Sequence, residues 1–474
     1  MKAAKVYDYD TERVPLIGNP TNRLTLATKD QVFINVIPET IKNPATEKVS
    51  IFLNKRGAFE THTTLVTGEG RGLYYWTRTA KTYTVIANKL YAGSSTTAIH
   101  TLATSTGTCF FTEVSGGTDY LVLSDGTDMV VIDTSDVVTD ISDADMPAGP
   151  TAPATLDGYI FVVKSGTDEI YSSDVNIATA WTSTSFLSAE MYADNLVSLI
   201  RQVNYVVAFG TYSVEFYYDN ANATGSPLKR ADTVAMKVGL AARDTLAQVD
   251  RRILFVGQSQ NGEPSVWQFN SLTPEKISNE FIDKILTNEG SNLTTAKGRI
   301  IQHKGHALYI VNLNARTLVY DLDEKIWTEW STNSAGAHAV LPYNFFVQGA
   351  NNTILCLHNT DGKLYVLNPA TFTDTAGAIL VKIVTGKLDF GNTHQKRLFR
   401  VELIADAQTS GTVSIDWTDD DYVTFQTART LDLVTRPYTK SCGSFRRRAF
   451  RLQHSTNAAF RAEALEFDYS DGIH

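Results

Sequence analysis

Residues 244–285 read DTLAQVDRRILFVGQSQNGEPSVWQFNSLTPEKISNEFIDKI. Ile253, Leu254, Phe255 and Val256 form an apolar run of β-branched and aromatic side chains, which predicts a strand. Gln258 to Pro264 holds Asn261-Gly262, a strong hairpin signal, because a tight reversal needs positive φ and glycine adopts it without steric cost. Ser265 to Phe269 alternates, with Val266 and Gln268 on one side and Trp267 and Phe269 on the other. A helix is expected next, with Ser278 as N-cap and Phe281, Ile282, Ile285 and Leu286 along one face. A hairpin of this kind cannot bury itself alone and needs similar units beside it.

The chain supplies them. Hairpins of the same type are expected at 83–93, 119–133, 158–174, 204–219, 251–270, 306–330 and 353–369. Asp125-Gly126, Ser165-Gly166 and Asp361-Gly362 mark three of the turns. Each hairpin follows another short apolar run, such as TLAQVD or RIIQHK, that could form an inner strand. A recurrence near 45 residues with several strands per unit is the pattern of β-propeller blades. The physical reason is burial: a four-stranded blade exposes two apolar faces, and a ring of blades covers both while leaving only short edges. A string of β-sandwiches would also place strands every 8–12 residues. The likeness of the hairpins to one another favours the propeller, with six or seven blades. The fold class is therefore all-β, in three parts: an extended N-terminal arm (1–65), the propeller (66–377) and a C-terminal β-sandwich (378–474). The last part is suggested by longer alternating strands such as QKRLFRVELIAD and FRAEALEFDYS.

Composition bounds the function. The 474 residues are 43% hydrophobic and 20% charged, a folded balance and not a disordered one. The net charge of −9 argues against a surface that grips nucleic-acid phosphates broadly, yet suits one that lets DNA slide past. Cys109, Cys356 and Cys442 lie far apart and are odd in number, so reduced thiols are expected. The opening MKAAKVYDYDTE turns acidic at once and does not read as a secretion signal, and no apolar run approaches the ~20 residues of a membrane span, so no membrane insertion is expected.

Motifs for chemistry are absent from the sequence: there is no Walker loop, dinucleotide-binding glycine loop or nucleophile elbow. No catalytic, cofactor or metal residues are therefore expected. His303 and His306 could be taken for a metal pair, but they read as a surface turn lacking a third ligand. The acidic stretch Ser414 to Phe425 reads as a solvated hairpin; its spacing does not match an EF-hand calcium loop. Lys440, Arg446, Arg447, Arg448 and Arg451 form a basic cluster without an intervening acid. Either they contact a neighbouring subunit or DNA phosphates, or they pair with acidic residues on adjacent strands. In a strand, Arg446 and Arg448 would point one way and Arg447 the other.

The run ILFVGQSQNGEPSVWQFNSLTPEKISNEFIDKIL resembles a segment of the packaged-DNA stabilisation proteins, the tail hub or nozzle family of short-tailed bacteriophages. The matching positions are Gly257, Gly262, Ser265-Val266-Trp267, Pro274, Ile277-Ser278 and Phe281 to Leu286. VGLAARDTLAQVD (238–250) and GKLDFGNTHQKRLFRVEL (386–403) resemble the same family. The resemblance implies a homo-oligomer, a hexamer, around a channel for double-stranded DNA. It implies a place in the virion tail, after assembly in the host cytoplasm, between portal–adaptor proteins and the host surface, with tail fibres or spikes outside. Such a protein would be structural and not an enzyme, closing the channel in the virion and letting DNA pass at ejection. Polar loops are the candidates for closing it: Asn220, Asn222 and Gly225 in one, Asn288 and Gly290 in another.

Two other readings remain at this stage. A propeller glycan-processing enzyme of the depolymerase type would bring carboxylates and aromatics together on the propeller axis. A monomeric binding module would show an exposed apolar patch.

Overall fold

A computed structural model describes residues 9–17, 31–42, 44, 47, 49–222, 224–270 and 272–472. Much of the expected N-terminal arm, including the turn-rich NPTNRL at 19–24, lies outside the described residues. The chain forms two compact units. One combines residues 1–60, 315–341 and 368–474; the other combines 61–314 and 342–367. The division expected at 65 and 378 is continuous in sequence, whereas these units are not.

The second unit is the β-propeller. Among its described residues, six sheets follow one another, and they start with Gly70–Trp76, Phe110–Val114, Pro150–Leu156, Leu196–Gln202, Gly239–Leu240 and Tyr343–Gln348. A further antiparallel hairpin, Lys297–His303 with His306–Asn312, stands between the last two. In four of the sheets the strands run antiparallel in chain order, as in Phe110–Val114, Tyr120–Ser124, Met129–Ile132 and Val138–Asp140. In the fifth, Gly239–Leu240 and Ala247–Val249 both pair with Arg252–Gln258, and the last sheet ends on the early strand Ala58–Thr64.

The physical cause of the ring is visible in single strands. Leu121 and Leu123 enter a core shared with Val85 and Leu90 of the preceding sheet. Val122, between them, enters a core shared with Ile160 and Val162 of the following sheet. Side chains of a strand alternate between faces, so both faces of one strand are apolar and both are covered. The next cores join Phe161 and Val163 with Val206 and Ala208, then Phe209 and Phe216 with Phe255 and Phe269. In the latter, Phe209 meets Phe255 edge-on at 5.2 Å between centroids, and Phe255 stacks on Phe269 at 5.3 Å. Leu73 and Ile86 of the first sheet pack with Phe345, Leu357 and Leu364 of the last. Each such side chain contributes on the order of 1.5–3 kcal/mol by leaving water.

Turn chemistry agrees with the sequence at three hairpins and fails at one. Gly126, Gly166 and Gly362 all take positive φ. Gly362 has a second reason to be glycine, since a Cβ there would stand 1.7 Å from the Val66 carbonyl oxygen. Asn261-Gly262 does not form the expected tight reversal: pairing stops at Gly257 with Ser265, and Gly262 is not in the left-handed region. The wide loop has no need of positive φ there. The helix spans Glu280–Glu289, and its N-cap is Asn279, whose side chain accepts from the Ile282 amide. Ser278 is not the cap. Its Oγ accepts from the Val266 amide and donates to Asp283, so it ties the helix to the hairpin before it.

The first unit has two sheets around one core. One runs Val36–Lys42, Val49–Lys55, Arg461–Asp471, Lys396–Ala405, Tyr438–Lys440, and Asp10–Pro15 also pairs with Arg461–Asp471. The other includes Val32–Ile34, Val381–Val384, Ala449–His454, Thr412–Thr418 and Arg429–Asp432 in that order. Phe33, Leu53, Ile383, Val401, Ile415, Phe450 and Phe467 share the core between them. N-terminal residues thus supply strands to this unit. Among the described residues one ion pair is fully enclosed here. Arg56 donates from Nη2 to Asp374 at 2.6 Å and from Nη1 at 2.9 Å, while its Nε donates to Asn35. The Ser331 and Gly57 carbonyls accept the remaining protons.

Candidate functional site

First strands of the repeats converge on one cavity of about 400 Å³ within the propeller unit. Leu73, Phe111, Pro153, Leu199, Ala247, Ile300 and Phe345 reach it from seven strands, so this is the propeller axis. Apolar side chains are the more numerous, and the charged groups of the lining are Arg201, Arg243, Asp244 and Arg299, of which the last three are joined by hydrogen bonds.

Local structure fixes these groups. Arg243–Thr245 is a single 3-10 turn between two short strands. Thr245 anchors it: its Oγ1 donates to the Ala242 carbonyl, the Val256 amide donates to that Oγ1, and its carbonyl accepts from the Tyr309 hydroxyl at 2.6 Å. Gly298 allows the turn to approach its neighbour, because a Cβ there would be 2.5 Å from the Thr245 carbonyl oxygen and 2.7 Å from the Tyr309 hydroxyl. Asp244 then receives Lys297 Nζ at 2.8 Å and Arg243 Nε at 3.1 Å, and Thr108 also donates to it. Arg299 donates to the Asp244 and Gly298 carbonyls at 2.7 and 2.6 Å. Aromatic faces support the guanidiniums: Arg243 lies 4.8 Å from the Phe110 centroid and Arg299 4.7 Å from that of Phe345.

The electrostatics follow from burial and charge count. Burial acts to raise the Asp244 pKa, but Lys297 and Arg243 outweigh it and hold the carboxyl well below its usual range. Burial lowers the pKa of Arg299, against the partial support of Asp244. Cys109, also on the cavity wall, has its thiol pushed up to about 12 by burial and is not a nucleophile at neutral pH. One carboxylate facing basic groups cannot provide the acid and base pair of a glycosidase.

The residues singled out from the sequence lie elsewhere. Asn220, Asn222 and Gly225 belong to the loop between Val214–Asp219 and Leu228–Met236, the third and fourth strands of their sheet. There Asn220 donates to Asn222, which donates to the Ser226 carbonyl. Asn288 is in the last turn of the helix, and Gly290 is its C-cap with φ of 54°. None of the five lines the axial cavity.

The basic cluster divides. Arg448 is buried and grips Asp419 with two hydrogen bonds of 2.7 Å, stacked beside Trp417 and Phe445. Arg451 pairs with Asp416 at 2.6 Å. Arg446, Arg447 and Lys440 stay exposed; Arg446 donates to the Thr393 carbonyl, and Lys440 lies 5.4 Å from the Tyr438 ring. Arg446 and Arg447 occupy a bend, so the expected alternation of a strand does not apply to them. The acidic stretch is part of the hairpin Thr412–Thr418 with Arg429–Asp432; Asp419 and Asp420 are exposed beyond its first strand, and Asp416 is buried. Asp416 and Asp419 are the partners of the arginines, and Asp420 accepts from Thr424 and Thr418.

His303 is also not on the surface. It is buried at the end of its hairpin and its pKa falls to about 4, through burial and then the nearby Lys304 and His306 charges. Among the described residues no group of three or more His, Cys, Asp or Glu is placed to hold a metal ion, and no helix is long and apolar enough to cross a membrane. Sequence reasoning missed the axial cluster. Its members come from positions 108, 243, 244, 297 and 299, and no local motif links them.

The family model described as Bacteriophage P22 Gp10, beta-propeller matches residues 15–372, more than half of the chain. The chain belongs to this family. Membership in the phage-stabilisation family fits a structural phage protein, a component of the virion, and a role other than catalysis. No curated protein matches the chain. Among solved structures, the chain is similar to streptogramin B lyase at 10% identity, over 67% of this chain and 97% of that one, with a TM-score of 0.42. It is similar to the N-terminal domain of Nup159 at 9% identity, over 71% and 98%, with a TM-score of 0.37. It is also similar to YCF48 bound to D1 peptide at 12% identity, over 66% and 99%, with a TM-score of 0.39.

Proposed function

We propose that the protein is the tail hub, or nozzle, of a short-tailed phage. It would assemble as a hexameric ring below the portal–adaptor proteins, retain the packaged genome and let double-stranded DNA pass at ejection. The observation that carries this reading is the family match over residues 15–372. Two physical features support it. The blades are covered on both faces, which makes a stiff wall, and the net charge of −9 disfavours tight capture of passing phosphates. Tail fibres or spikes would attach to the outside of the ring. Arg446, Arg447 and Lys440, exposed and without a carboxylate partner among the described residues, are the members of the basic cluster able to meet a neighbouring subunit or DNA.

The test is the mass of the protein in solution, alone and mixed with a purified portal–adaptor complex. Six copies added to the complex are expected. A protein that stays a single chain in every mixture would overturn the reading.

A further inference from the structure

The axial cluster is out of charge balance. Lys297, Arg243 and Arg299 surround one carboxylate, that of Asp244. Buried cations are normally paired, since an uncompensated charge in a low-dielectric site is costly. The propeller fully encloses one further guanidinium, Arg71, whereas Arg243 is 37% exposed; the Arg71 protons go to the carbonyls of Gly107, Ala87 and Thr104 and to the Thr104 hydroxyl. The axial guanidiniums are only partly used. Arg243 is bonded through Nε, and Arg299 through Nη1; among the described residues neither Nη of Arg243, nor Nη2 of Arg299, has a hydrogen-bond acceptor. Both side chains face the cavity, and the stacking on Phe110 and Phe345 holds them in place. The other nearby carboxylate, Glu113, is engaged by the Tyr74 hydroxyl at 2.8 Å and belongs to an adjoining cavity with Arg201.

We propose that this end of the axial cavity binds a small oxyanion between Arg243 and Arg299. Planar guanidinium forks match the paired oxygens of phosphate or carboxylate, and prior stacking lowers the entropy lost on binding. A cavity of about 400 Å³ admits a small anion and excludes a duplex, so the site is separate from any path for DNA. The inference does not depend on the nozzle reading.

The experiment is thermal unfolding of the full chain, titrated with inorganic phosphate or with acetate at constant ionic strength. Phosphate also stabilises proteins weakly by exclusion from their surfaces, an effect that grows with concentration and does not saturate. Specific binding instead gives a saturable heat of one anion per chain by calorimetry, together with a Tm that rises with the logarithm of anion concentration above Kd, by about 3 °C or more. Saturable binding of phosphate alone identifies a phosphate-type ligand, and saturable binding of acetate identifies a carboxylate; both support the site. Arg243→Gln, at a partly exposed position, should abolish the calorimetric binding while the protein remains folded by circular dichroism. Arg201→Gln, elsewhere on the cavity wall with its Nε bonded to the Val203 carbonyl, should retain it. No saturable heat with either anion, or binding that Arg243→Gln leaves unchanged, overturns the proposal.

Discussion

Arg56 in the first unit and the axial arginines of the propeller are held in opposite ways. In the first unit, Arg56 and Asp374 form a closed pair: two charge-assisted bonds, with Asn35 and two carbonyls taking the rest. In the propeller, one carboxylate serves several cations around a cavity. A closed pair fixes the position of a chain segment and leaves nothing to bind. An incomplete set beside open space retains capacity for a ligand. Counting acceptors against donors therefore separates a structural cation from a binding one more surely than burial does.

The closed pair should be the more damaging one to break. Asp374→Asn should cost about 3–5 kcal/mol, because it strands the Arg56 charge in the interior, and a fall in denaturant midpoint would measure this. A much smaller cost would mean that water reaches Arg56.

Acid tests both units through their histidines. His454 and His338 in the first unit and His303 in the propeller all have pKa values near 4, chiefly through burial. Their ordinary value is about 6.5, so the folded state favours the neutral ring. Stability is complete above about pH 6.5 and falls as the pH drops towards 4, by up to on the order of 3 kcal/mol for each fully buried ring. Hydrogen exchange at pH 7 and pH 4.5 should show lost protection in Ala449–His454, where His454 stacks on Phe460 at 5.0 Å. His454→Phe should flatten that dependence.

Asp244→Asn should cost about 2 kcal/mol in denaturant unfolding, less than Asp374→Asn, because the cavity lets solvent shield the cations. Added phosphate should recover part of this loss and none of the loss in Asp374→Asn. The smallest effect is at the helix, which takes no part in either arrangement. Asn279→Ala removes the bond to the Ile282 amide and should lower stability by about 1 kcal/mol, with the phosphate response intact.

The sequence made the ring legible because its cause is local. Period-two alternation in runs such as Leu121-Val122-Leu123 and the glycines of three turns record face and reversal directly. The helix start was off by one residue, since Ser278 and Asn279 are both good caps and the hairpin claims Ser278. Pairing at a distance was not legible. Arg448 and Asp419, or Arg451 and Asp416, look like separate basic and acidic runs until neighbouring strands bring them together. The axial site was hidden for the same reason. Gly298 was its one local trace, a glycine inside a strand where another backbone approaches.

Strand Arg461–Asp471 has one further consequence. It lies between Val49–Lys55 and Lys396–Ala405 in its sheet and also pairs with Asp10–Pro15. During synthesis it leaves the ribosome some four hundred residues after Asp10–Pro15 and Val49–Lys55, two of the strands it must join. The propeller unit, closed by residue 367, has all its own strands before then. The early strands of the first unit therefore spend most of translation with unpaired edges, the period in which a chaperone would have most to protect.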